Sequence, residues 1–141
     1  MNLRRAAIAL ACAAAAAVPL ACAAPPAGLP VGSVWQLERL GPDPVLVAPP
    51  GRPPSIEWGA ERLSGSTGCN RFSGQWSQAG DTVTLSRLVT TRMACPDMDL
   101  ERRFTDALVQ VARWRVIDGR LELLDAGGTP LMRLVRMAAP K

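Results

Sequence analysis

A chain of 141 residues with no histidine and four cysteines carries a formal net charge of +4, and amounts to one domain's worth of sequence. Without imidazole it lacks the usual base of serine and cysteine hydrolases and the commonest metal ligand. Its positive charge is scattered over Arg39, Arg52, Arg62, Arg71, Arg87 and Arg92 and falls to +2 without Arg4 and Arg5, too weak a bias for a nucleic-acid partner.

Arg4 and Arg5 precede an uncharged, Ala-rich run from Ala6 to Val18, which Pro19 closes and small residues follow at Ala21, Cys22, Ala23 and Ala24. A positive end, an apolar stretch and a small-residue zone read as a secretory signal peptide over residues 1–23. The run falls short of the roughly 20 strongly apolar residues that a membrane span needs. Ala21-Cys22-Ala23 fits cleavage before Ala24. Leu20-Ala21-Cys22 also resembles the end of a lipobox, although Pro19 stands where an aliphatic residue is usual, and that route makes Cys22 a lipidated N-terminus. Residues 24–32, with Pro25, Pro26 and Pro30, suit a tether, and residues 33–138 remain for the folded domain. The expected location is therefore the periplasm, or the outer membrane through an N-terminal lipid and nothing else.

Either processing route leaves Cys69 and Cys95. An even pair in an oxidising compartment reads as a disulfide, which for this loop length stabilises by about 3.5 kcal/mol in the chain-entropy model. The alternatives are a redox pair, although CxxC spacing is absent, and a metal site, although two thiols alone do not fill a tetrahedron.

Val34 to Leu40 alternates imperfectly, as a first strand. Gly41 to Pro54 is a Pro- and Gly-rich loop with at most a short edge strand around Val45-Leu46-Val47. Ser55 to Trp58 is a short strand and Arg62 starts another. Asn70 to Ser77 places Phe72, Gly74 and Trp76 on one face and Arg71, Ser73 and Gln75 on the other, a half-buried strand. Gly80-Asp81 turns it into Thr82 to Leu88, with Val83 and Leu85 inward, making a hairpin. After Pro96, Asp97 or Asp99 caps a helix. Leu100, Phe104, Ala107, Leu108 and Val111 form its apolar stripe, and Glu101 is assigned to the opposite, polar side. Trp114 to Ile117, Asp118-Gly119 and Arg120 to Leu124 make a second hairpin, and Leu131 to Arg136 a last strand. The order predicts an α+β fold: a curled, partly barrel-like antiparallel sheet of about six to eight short strands with one helix near residues 98–112.

Chemistry-bearing constellations are thin. Asp97, Asp99 and Glu101 read as a helix start rather than an acid–base pair or calcium site. No serine sits in a nucleophile elbow, and no phosphate cradle occurs. Gly65, Gly68 and Gly74 allow a bulge or close backbone approach. Asn70 suits a turn, with a polar ligand contact as its functional alternative. Trp35, Trp58, Phe72, Trp76 and Trp114 read as core, or as the lining of an apolar pocket if several face one open end.

Trp35-Gln36-Leu37, Gly68-Cys69-Asn70-Arg71-Phe72-Ser73-Gly74, Thr90-Thr91-Arg92-Met93-Ala94-Cys95-Pro96, then Glu101, Phe104 and Leu121-Glu122-Leu123 together resemble the signature of the META domain, the HslJ-like family of heat-shock envelope proteins. The resemblance spans about residues 32–137 and marks Gly68, Asn70, Phe72, Gly74, Met93 and Pro96 as family-motif positions. It implies a stress-response type envelope protein, sometimes lipid-anchored, with no established enzymatic activity. The expected function is thus a non-catalytic binding or scaffold module without cofactor or metal, a monomer partnered by an unknown envelope protein. A carrier or pilot for a lipid or other apolar ligand is the alternative, and a thiol redox protein a weaker one.

Overall fold

The computed structural model describes residues 28–45, 52–96 and 98–138. The signal peptide with Cys22, residues 24–27 of the tether, Leu46, Val47 and Asp97 lie outside them.

Alternation of apolar and polar residues dictates the strands. β1 (Ser33–Leu40) buries Trp35, Leu37 and Leu40. The last two are three residues apart because the β1–β9 register shifts between Leu37 and Arg39, so the imperfect alternation marks a bulge. β2 (Asp43–Pro44) is a two-residue edge pairing with Arg39 and Leu40; it lies just before the segment where an edge strand is expected from sequence. β3 (Ser55–Trp58) and β4 (Arg62–Ser66) form a hairpin. β5 (Arg71–Ala79) buries Phe72 and Gly74 and half-buries Trp76. β6 (Thr82–Thr90) buries Val83. The helix α1 (Met98–Gln110) follows, then β7 (Arg113–Ile117), β8 (Arg120–Leu124) and β9 (Pro130–Arg136).

Among the described residues there are thus nine strands, one more than the sequence suggests, because pairing rather than pattern defines β2. All pairings are antiparallel, in the order β2-β1-β3-β4-β5-β6-β7-β8-β9, and β1 also pairs with β9. The sheet therefore curls into a ring. Its narrowest seam lies between β6 and β7, where only Thr82 and Arg113 are in register. There Val83 N donates to Ala112 O and Trp114 N to Asp81 O, both at 2.9 Å, and Arg113 ion-pairs with Asp81.

The core fills the space between ring and helix. Ile56, Trp58, Leu63, Phe104, Leu121, Leu123 and Leu134 have no exposed surface, each such side chain contributing about 1.5–3 kcal/mol. Trp35, Phe72 and Trp114 are buried with them, and Trp76 stands edge-on to Trp58 with ring centroids 5.1 Å apart, a favoured aromatic geometry. The helix inserts Phe104, Ala107 and Leu108, and Phe104 packs against Phe72 at 5.7 Å. One side chain on this face is not apolar: Glu101 is buried too, which corrects its assignment to the polar side. Glu101 stands three residues before Phe104 and seven before Leu108, so helical periodicity turns it into the ring.

Candidate functional site

The site is built on the turn between β4 and β5. Thr67 N and Thr67 Oγ1 both donate to Asn70 O, at 2.8 and 3.1 Å, and Asn70 N donates back to Thr67 Oγ1 at 3.0 Å. Gly68 closes this turn with φ +104°, a conformation that side chains rarely adopt. Its absent Cβ also leaves room for Arg52 O, which would stand 3.1 Å away. The turn points the Asn70 side chain inward, where it has no exposed surface.

Asn70 then joins three segments. Its Oδ1 accepts from Met93 N at 2.7 Å and from Thr91 Oγ1 at 2.9 Å. Its Nδ2 donates to Met93 O at 3.1 Å and to both carboxyl oxygens of Glu101 at 2.9 Å. A buried amide must find partners for both ends, and here they lie on the strand exit after β6 and on the first turn of α1. Glu101 sits where helix backbone N–H groups favour negative charge. Among the described residues no ion pair reaches it.

Cys69 and Cys95 form a disulfide, 26 residues apart in sequence and 6.3 Å apart at Cα, a spacing that a disulfide spans readily. Both are half-buried. Their sulfurs and a Glu101 carboxyl oxygen all lie within 4.8 Å of one another. The buried amide, the acid and the disulfide are therefore one cluster. An open cleft of about 680 Å³, lined by Arg92, Met93, Ala94, Met98, Arg102 and Thr105, reaches Asn70 and Glu101.

The motif positions divide around this cluster. Gly68 and Asn70 form its turn, and Met93 contributes its backbone while its side chain stays exposed. Pro96 is exposed just before the helix. Phe72 lies in the core against Phe104. Gly74 is farther along β5, facing a β6 bulge in which Arg87 has φ 52°. A Cβ on Gly74 would meet Leu88 Cδ2 at 2.7 Å and Ser86 O at 3.0 Å, so that crossing requires glycine. Sequence reasoning does not identify Thr67 and Thr91 as partners of Asn70. Thr67, a short hydroxyl side chain beside the Gly-Cys-Asn turn, is the local signal it leaves unused; Thr91, 21 residues from Asn70, gives none.

A second trough, of about 850 Å³, runs over the outer face of β1, β3, β4 and β5 and reaches Cys69. Serines at 55, 64, 66 and 73 line it with Val34, Arg71, Val89 and Met137.

The META domain family matches residues 28–138 of the chain. A solution structure of a protein from Burkholderia xenovorans superposes with a TM-score of 0.63 at 23% identity, over 77% of this chain and 84% of that one. A second solution structure gives a TM-score of 0.58 at 27% identity, over 73% and 87% of the two chains. A search of curated proteins finds no match. With the family signature running through the turn, the disulfide and the helix, the chain belongs to the META domain family.

Proposed function

We propose that this domain is a non-catalytic binding or scaffold module of the bacterial cell envelope, exported by its leader and presenting a rigid sheet surface to another envelope component. One observation carries this: the polar groups of the signature satisfy one another. Both ends of the Asn70 amide are occupied internally and its side chain is sealed from solvent. Such a residue fixes geometry and has no group free to act on a substrate. A disulfide beside it suits an extracytoplasmic body. The surface best suited to a partner is the trough of serines edged by Val34, Val89 and Met137, all exposed.

A carrier role finds less support, because Trp35, Trp58, Phe72 and Phe104 pack into the core between sheet and helix, where an apolar ligand would have to sit.

A photo-crosslinking residue at Ser64 or Val89, in the full chain exported by its native host, should give a discrete adduct. The same residue at Val109, exposed on the helix, should not. Equal labelling from all three positions, or none, would remove the support for a partner on the trough. Globomycin sensitivity of processing decides whether Cys22 carries a lipid: insensitivity excludes that anchor.

A further inference from the structure

We propose that, once the Cys69–Cys95 bond is reduced, Cys69, Cys95 and Glu101 form a binding site for a thiophilic divalent cation of the zinc class. Two thiols alone do not make such a site, and the sequence offers no histidine to complete it. The fold supplies the third donor. Helical spacing from Phe104 turns Glu101 inward, and its carboxyl oxygen and the two sulfurs lie within 4.8 Å of one another. Zinc at about 2.3 Å from sulfur and 2.0–2.2 Å from oxygen holds tetrahedral ligands about 3.5–3.8 Å apart. The oxygen needs to approach by up to about 1.3 Å, and the sulfurs must part by just under 2 Å from bonding distance.

Three further features fit. Glu101 is buried without a cationic partner among the described residues, a position that a bound cation would compensate. Asn70 Nδ2 holds both carboxyl oxygens at 2.9 Å and lies 4.0 Å from Cys95 Sγ, placing it as the outer partner that orients metal ligands. The cleft borders Glu101, which keeps a small exposed fraction, and so gives a path from solvent to the carboxylate. Two sulfur donors select zinc-class ions over calcium or magnesium, which require oxygen.

The chemistry balances with a dithiol reductant. Its two thiols become a disulfide as Cys69 and Cys95 each gain an electron and a proton. The cation then displaces those two protons, leaving two thiolates and one carboxylate around it. The cluster is thus a covalent clasp when oxidised and a metal site when reduced.

The test uses the full mature chain, reduced anaerobically, freed of reductant and titrated with Co2+ while far-UV circular dichroism monitors the fold. One equivalent should bind with thiolate-to-cobalt charge-transfer absorption, and Zn2+ should displace it. The oxidised protein should show no such band. Glu101→Gln, which preserves shape, should weaken binding at least about tenfold, and Cys69→Ser should remove much of the band. If reduction alone unfolds the chain, refolding on addition of Zn2+ is the expected result. A folded reduced protein without the band, an unfolded one that zinc does not rescue, or Glu101→Gln binding as tightly as the parent would each overturn the site.

Discussion

Among the described residues two carboxyl side chains are buried, and the fold accommodates them in opposite ways. Glu122 on β8 points away from its core-facing neighbours Leu121 and Leu123, beneath two arginines on flanking strands. Arg115 reaches its Oε2 at 2.7 Å, and Arg133 reaches Oε1 at 2.6 Å through Nη2 and 2.9 Å through Nε. The register places Arg115, Glu122 and Arg133 in one cross-strand row, so sheet geometry alone assembles the triad. Among the described residues no arginine reaches Glu101; a neutral amide and a helix start hold it instead. A carboxylate neutralised by two cations is a structural fixture. A carboxyl lacking a cation, beside two sulfurs, is a place where something else can bind.

The largest effects should come from dismantling the Glu101 end. Asn70→Ala removes the donor to Glu101 and the acceptor for Met93 N and Thr91 Oγ1 in one step. We expect a loss of about 4 kcal/mol in urea unfolding, since buried groups left unpaired cost about 1–3 kcal/mol each and charged ones more. A loss under about 1 kcal/mol would mean that water replaces the amide and that the cluster is not built around it. Next, Cys69→Ala with Cys95→Ala should cost about 3.5 kcal/mol, mostly by releasing the unfolded chain. An unchanged midpoint would separate the disulfide from the stability of this end.

The ring is largely legible in the sequence; of the cluster, the Cys69–Cys95 pairing and the Asn70 turn are legible and the buried acid is not. Alternation in Arg71–Ala79 and Thr82–Thr90 and the Asp118-Gly119 turn mark strands and hairpins through local chemistry alone. The bulge at Arg87 escapes notice because arginine is not a residue whose type announces φ 52°. Glu101 is missed for a different reason. Its charge argues for the polar face, whereas its spacing from Phe104 and Leu108 argues for the buried one, and a partner 31 residues away decides between them. Such a partner is visible only once β5 and α1 are brought together. The two cysteines announce themselves as a pair, but nothing in their spacing says that an acid lies beside them.

At the other carboxyl the expected effect is smaller and depends on pH. Burial works to raise the pKa of Glu122, but hydrogen bonds from Arg133 and Arg115 and their charges together outweigh it and hold the group below its ordinary 4.5. The folded pKa is the lower one, so on acidification the unfolded chain takes up this proton first. The contribution is complete above the ordinary carboxylate range and is lost as pH falls through the folded value. Glu122→Gln should therefore cost about 1–2 kcal/mol at pH 7 and flatten the decline in stability below about pH 4.5. Parallel acid profiles for parent and variant would show that the arginines do not favour the charged form.

The smallest effect should be at Arg102, which tests whether burial rather than ion pairing sets the ranking. Its Nη2 meets Asp99 Oδ1 at 2.6 Å, a contact as short as those at Glu122. The Asp99 hydrogen bond first, and its charge second, raise the Arg102 pKa against a small opposing effect of burial. Yet both side chains are more than three-fifths exposed, so water and salt screen the pair and little free energy depends on it. Arg102→Ala should leave the unfolding midpoint within error of the parent at physiological salt, although the residue borders the same cleft as Glu101. A clear loss, comparable to that of Glu122→Gln, would mean that Arg102 acts on the Glu101 cluster across the cleft. The contrast between a compensated and an uncompensated carboxyl would then no longer hold, because Glu101 would have its cation after all.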